Sequence, residues 1–192
     1  VAETVTNTRA GTVEACRRAK LAPPAGGQIA RLLVKKGDRV QADQALLELW
    51  NDDVRAELAV TERDAAAAGA RREEACVAAR VARRESGRLA SLVERRLVST
   101  ELAERAAGEA EAREAGCRAA AEQTRVSQAR IEAARARLER TLLRAPFAGT
   151  VAEINGELGE FVTPSPVGIP TPPAVDVVDT SCIYITAPID EV

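Results

Sequence analysis

Between Asn51 and Leu143 small and apolar residues recur at alternating spacings of three and four. On a first arm the seam runs Val54, Leu58, Thr61, Ala65, Ala68, Arg72, Ala75, Ala79, Ala82, Ser86, Leu89 and Val93. On a second it runs Ala103, Ala106, Ala110, Arg113, Cys117, Ala120, Thr124, Ser127, Ile131, Ala134 and Leu138. That period keeps one helical stripe turned towards a partner. The stretch is built mainly from Ala, Arg and Glu and holds no proline or aromatic residue, so backbone propensity agrees with the pattern. The seam is mostly small, which predicts two antiparallel helices at close approach. The Arg/Glu faces flanking it read as solvated surface laced with i,i+4 pairs.

The ends fit the same reading. Asn51, Asp52 and Asp53 offer caps and negative charge at the first helix start, and Arg95 and Arg96 offer positive charge at its end. Ser99 can cap the second helix, with Glu101 and Glu104 in its first turn; Arg137, Arg140 and Arg144 load its last turn, and Pro146 bars continuation. Arms of about 43 residues make a rod of roughly 60 to 65 Å. Its tip falls around Leu97 to Ser99.

Outside the rod the pattern shortens to strand length. Candidates are Thr12 to Cys16, Gln28 to Val34 and Ala45 to Leu49 before it, then Gly149 to Ile154, Glu160 to Thr163, Ala174 to Val178 and Cys182 to Ala187 after it. Pro23-Pro24, Gly26-Gly27 and Lys36-Gly37-Asp38 punctuate the first group, and a Pro-rich loop from Pro164 to Pro173 the second. Residues 1–10 read as a polar lead-in or an edge strand. The two groups repeat each other at a constant offset of 122: Leu21 matches Leu143, Pro24 Pro146, Gly27 Gly149, Ile29 Val151, Leu32 Ile154, Gly37 Gly159, Asp38 Glu160 and Val40 Val162. Two copies of one half-motif, before and after an insertion, imply a pseudo-symmetric β-sandwich over a shared core. Its glycines are expected at tight turns and its Val and Ile positions inward.

Composition narrows the chemistry. The 192 residues carry a net charge of −2 with both signs interleaved, which argues against a nucleic-acid partner. Trp50, Phe147, Phe161 and Tyr184, the chain's four aromatics, all lie outside the rod, and the compact core is expected among them. Histidine and methionine are absent, which removes His-based catalysis and soft thioether metal ligation. The carboxylates form no paired acid/base constellation, so no catalytic site, metal site or cofactor is expected. No apolar run reaches the roughly 20 residues that span a bilayer. A chain starting at Val1 rather than methionine is expected to be a processed or truncated form.

The pattern Pro24-x-x-Gly27-x-Ile29, Gly37-Asp38-x-Val40 and Leu46-Leu47, repeated as Ala145-Pro146-Phe147-Ala148-Gly149-x-Val151 and Gly159-x-x-Val162, resembles the two halves of a biotinyl/lipoyl domain. With a long hairpin between those halves, the chain resembles the periplasmic adaptor proteins, or membrane fusion proteins of the HlyD type. The resemblance implies an α+β fold: a lipoyl-like β-sandwich (a barrel-sandwich hybrid) in residues 11–50 and 144–188, interrupted by a coiled-coil hairpin in residues 51–143. Residues 189–192 would begin a β-barrel domain. It further implies a periplasmic protein attached to the inner membrane, joining an RND or ABC transporter to a TolC-type outer-membrane channel, with homo-oligomeric, hexameric assembly.

Within that resemblance Arg88, Leu92 and Ser99 match, by spacing, a hairpin-tip signature associated with channel docking. A blander reading has Leu92 packed on the partner arm, Ser99 as a helix cap and Arg88 solvated. Acyl carriage is disfavoured because Lys20, Lys35 and Lys36 are the only lysines and the joining turn is replaced by the insertion. A type I secretion adaptor, usually with a longer hairpin, and a purely structural coiled coil are the alternatives.

If the rod turns near residues 97 to 98, Cys76 and Cys117 fall at the same height on opposing arms. Cys16 and Cys182 belong to the first and last strands, which are neighbours if the domain closes on itself. Four cysteines allow three pairings, or four buried thiols.

Overall fold

The computed structural model describes residues 12–164 and 172–186. The lead-in 1–10, the middle of the Pro-rich loop and the barrel start at 189–192 lie outside the described residues. In chain order the elements are β1 (Thr12–Ala15), β2 (Arg18–Leu21), β3 (Gly27–Leu32), β4 (Arg39–Val40), β5 (Ala45–Leu49), α1 (Asp52–Glu94), α2 (Thr100–Glu139), β6 (Leu142–Arg144), β7 (Gly149–Ile154), β8 (Phe161–Val162), β9 (Val175–Val178) and β10 (Ile183–Thr186). They form two compact units: a helical one, Asp52–Leu138, and a β unit from the residues up to Asn51 and from Glu139 onward.

The β unit holds two four-stranded sheets, ordered β2-β9-β7-β4 and β6-β5-β3-β8, plus the pair β1-β10. Exchanging each strand of β2 to β5 with its counterpart in β6 to β9 turns the first order into the second. The sequence repeat is therefore a repeat of strand pairing. It extends to detail: the register shifts between Ile29 and Arg31 against β5, and between Val151 and Glu153 against β9. Leu47, Glu48 and Leu49 on β5 hold the places of Val175, Asp176 and Val177 on β9. Both sheets feed one buried cluster, with Ile29, Leu46, Leu47, Leu49 and Leu143 from one and Val40, Val151, Val175 and Val177 from the other.

Two repeat-related carboxylates lie buried, Glu48 at 4% exposure and Asp176 at 1%. Each is covered by an arginine from a neighbouring strand: Arg31 Nε donates to Glu48 at 2.9 Å, and Arg18 Nε to Asp176 at 2.9 Å. A buried charge is tolerable only when paired in this way.

Several expectations change. The aromatics are not the core: Trp50, Phe161 and Tyr184 are exposed, and only Phe147 packs, partly buried, against the aliphatic cluster. Short aliphatic strands close the gap between the sheets without them. Gly37 and Gly159 do take positive φ in turns (93° and 86°), but Gly27 and Gly149 lie in strands. Their reason is close approach: a Cβ on Gly149 would sit 2.4 Å from the Val178 carbonyl oxygen, and one on Gly27 3.3 Å from Leu49. The second helix ends at Glu139, not near Leu143, because Leu143 is needed as a core strand residue paired with Leu47. Only Arg137 loads its last turn, and Arg144 lies in β6. The Asn51 side-chain amide donates to Glu48 (3.1 Å) and Thr141 (2.9 Å), tying β5 to β6 where the insertion leaves and returns.

In the helical unit, α1 and α2 are 43 and 40 residues long. Every seam position is buried or half-buried except Arg72 and Arg113, which turn outward. Because Ala68, Ala79, Ala110, Ser127, Ile131 and Ala134 are the buried seam residues, apolar packing is thin. Ion pairs between the arms fix the same register, Arg137 to Glu57 at 2.5 Å and Arg135 to Glu62 at 3.1 Å. These pairs are exposed and each adds at most about 1 kcal/mol. Cys76 and Cys117 are disulfide-bonded across the seam, with Cα atoms 4.6 Å apart. Cys16 and Cys182 are bonded beside the β1-β10 pair (Cα atoms 5.4 Å apart), where the Cys16 amide also donates to the Cys182 carbonyl at 3.0 Å.

Candidate functional site: the hairpin tip

Five residues, Arg95 to Ser99, turn the rod over. Helix α1 closes with the Arg96 amide donating to the Val93 carbonyl (2.8 Å) and the Leu97 amide to the Leu92 carbonyl (3.0 Å). Arg96 itself adopts the left-handed region at φ 58°, which reverses the chain in a single step. Ser99 then starts α2 as an N-cap, its Oγ accepting the Leu102 amide at 3.3 Å. A left-handed residue before and a cap after make a short turn with defined ends.

The three residues matched by spacing have distinct settings. Arg88 lies one turn before Leu92, its guanidinium bound to Glu85 at 2.5 Å and largely exposed. The hydrogen bond it donates to the Glu85 carboxylate raises its pKa further above an already high value, so it stays cationic at every relevant pH. Leu92 is half-buried and Ser99 exposed. The three are spread over the last two turns of α1 and the start of α2; the link between them is main-chain, through the Leu92 carbonyl that closes the turn leading to Ser99. The cap and the half-buried leucine are what the blander reading requires of Ser99 and Leu92, and both still leave surface for a partner.

Two residues that the spacing does not single out add to that surface: Leu97 is 65% exposed at the apex and Leu102 is 44% exposed in the first turn of α2. Leu102 carried a signal, being a large apolar residue one place off the seam at Ala103. The tip thus presents leucine side chains, a hydroxyl and the cations Arg88, Arg95 and Arg96 on the blunt end of a rod. Such a surface can plug into an apolar notch rimmed by carbonyls or carboxylates. It contains no group arranged for bond chemistry, and among the described residues no cluster of His, Cys, Asp or Glu could hold a metal ion.

The chain matches no family model, and no curated protein matches it. Solved structures do match. MacA from Actinobacillus actinomycetemcomitans superposes with a TM-score of 0.78 at 22% identity, over 91% of this chain and 53% of that one. The membrane fusion protein Spr0693 from Streptococcus pneumoniae R6 superposes at 0.63 and 21% identity, over 91% and 64% of the two chains. This chain has the fold of the membrane fusion proteins. The periplasmic adaptor protein EmrA extends the likeness, with a TM-score of 0.53 at 17% identity over 93% of this chain and 76% of that one. The chain spans about half the length of MacA. No helix among the described residues is long and apolar enough to cross a membrane.

Proposed function

We propose that this chain is the hairpin-bearing part of a non-enzymatic periplasmic adaptor, one that links an inner-membrane transporter of RND or ABC type to a TolC-like outer-membrane channel. The observation that carries the proposal is the tip. A membrane-fusion-protein fold ends in a defined turn that leaves Leu97, Leu102, Ser99 and Arg88 on its surface. The two pseudo-equivalent sheets serve as a lipoyl-like sandwich that holds the rod's two ends, and Arg88, Leu92 and Ser99 take part in docking. The leucines supply apolar contact; the arginines engage acceptors on the channel rim. Several copies, six by the family resemblance, surround the duct in the full protein.

The test is photo-crosslinking from a probe at Ser99 in the full-length protein, in a Gram-negative host with its native channel. Capture of an outer-membrane channel that Leu97→Asp and Leu92→Asp both abolish, with helicity intact, supports docking. Capture of adaptor copies only, or of nothing, sinks it.

A further inference from the structure

Four arginines surround the bridge in the middle of the hairpin. Arg72 and Arg80 lie one helical turn either side of Cys76 on α1, Arg83 follows one turn later, and Arg118 comes directly after Cys117 on α2. All four are exposed, and together with the two half-buried cysteines they line one groove of about 680 Å³. Two carboxylates share it, Glu73 and Glu114, and Glu114 approaches Arg83 at 3.9 Å. Arg72, Arg80 and Arg118 make no ion pair among the described residues, so the groove carries a cationic excess beside a disulfide. These arginines do not hold the arms together either; the inter-arm pairs Arg137 to Glu57 and Arg135 to Glu62 lie nearer the hairpin base. The other bridge is set differently. Cys16 and Cys182 are exposed, but the neighbouring Arg17 and Arg18 are neutralised by Asp179 at 2.6 Å and Asp176 at 2.5 Å.

We propose that this groove is a thiol-exchange site, at which a small peptide thiol carrying carboxylates opens the Cys76–Cys117 bridge. The groove has the volume of a small-molecule site, and its free guanidinium groups suit carboxylates. They also stabilise the negative charge that spreads over three sulfurs when a thiolate attacks a disulfide. In the first step the thiolate sulfur bonds to one cysteine Sγ, the bond between the two Sγ atoms breaks, and the other cysteine leaves as a thiolate. Either leaving group has cations beside it, Arg72 and Arg80 for Cys76 and Arg118 for Cys117, and these favour the departing thiolate. A second thiolate then attacks the mixed disulfide, releasing the oxidised thiol dimer and the remaining cysteine as a thiolate. Two electrons thus pass from two thiols to the bridge, and water protonates the cysteines. Opening the bridge unties the rod between it and the tip, where Ala79 and Ala110 are the only buried residues of the two helices. The groove is thereby a chemical control on the stiffness of the tip, whatever the tip binds.

The test needs no channel and uses the second bridge as an internal control. The oxidised full chain is treated at neutral pH and low ionic strength with glutathione, a dicarboxylate thiol, or with cysteamine, a cationic one. Opening of each bridge is followed by acid quenching, alkylation and peptide mass mapping. Taking the ratio of the glutathione rate to the cysteamine rate at each bridge cancels differences in exposure, and comparing the two ratios cancels the intrinsic reactivity of the thiols. That ratio is expected to be at least about fivefold higher at Cys76–Cys117 than at Cys16–Cys182, and to fall as salt is added. Arg80→Gln/Arg118→Gln, on exposed helix positions, should bring it down to the Cys16–Cys182 value with helicity unchanged, whereas Arg80→Lys/Arg118→Lys should keep it. Equal ratios at the two bridges, or a preference that survives Arg80→Gln/Arg118→Gln, would overturn the thiol-exchange site.

Discussion

Removing the Cys76–Cys117 bridge by the double substitution Cys76→Ser/Cys117→Ser should weaken the outer half of the hairpin most. The bridge closes a loop of sequence separation 41. Constraining that loop removes roughly 13 cal/mol/K of entropy from the unfolded chain, or about 4 kcal/mol at 25 °C. This is an upper value, because the neighbouring strands β5 and β6 hold the hairpin's two ends together while the β unit stays folded. Between the bridge and the tip the buried seam residues are only Ala79 and Ala110, which at about 0.8 kcal/mol per buried methyl group offer roughly 1.6 kcal/mol. The bridge therefore outweighs the local packing. Urea unfolding followed by circular dichroism at the helix band reads the effect: for a slope of about 1 to 3 kcal/mol/M the midpoint should fall by roughly 1 to 4 M. Amide exchange should quicken in residues 77–116 and little beyond Ile131. A loss below about 1 kcal/mol, or a uniform change in exchange along both arms, would refute the reasoning.

Two further outcomes follow from local geometry. Gly149→Ala should cost roughly 2 to 3 kcal/mol in thermal or urea unfolding, since its Cβ would meet the Val178 carbonyl at 2.4 Å, whereas Gly69→Ala, with open space around it in α1, should gain about 0.5 to 1 kcal/mol. Hydrogen bonds from the Ser181 hydroxyl, from Arg17 and from the Ser181 amide hold the Asp179 carboxyl down at about 2, against an ordinary 3.8. A depressed carboxylate adds stability above its unfolded pKa and loses it as pH falls through the folded one. Urea midpoints of the parent and of Asp179→Asn should therefore differ at pH 5 to 7 and converge between about pH 4 and 2; a gap that persists below pH 2 would contradict the assignment.

The hairpin was legible because one physical period ran unbroken for some 40 residues per arm. Seam residues from Val54 to Leu138 sit where that period puts them, and even its two misfit arginines turn out to solvent. The repeat was legible because glycine and β-branched residues recur at one offset, and its strand pairing follows suit. Short strands such as Arg39–Val40 and Leu142–Arg144 were not, since two or three residues carry no period and owe their state to a neighbour's backbone. The aromatic positions misled for a related reason: size marks a residue as able to form a core, but the opposing strands decide whether there is room. At the tip, spacing singled out Arg88, Leu92 and Ser99, while Leu97 and Leu102 gain their meaning only from exposure.

Glu48 on β5 and Leu142 on β6 are direct antiparallel partners, so the rod emerges from and returns to two strands that are already adjacent. The intervening segment can then be lengthened without re-registering either sheet. Adding seven residues to each arm would advance the tip by about 10 Å and bring the seam back to nearly the same face. Reach is thus an independent variable in this architecture, adjustable by duplication or deletion in matched steps, while the support and the turn are inherited unchanged.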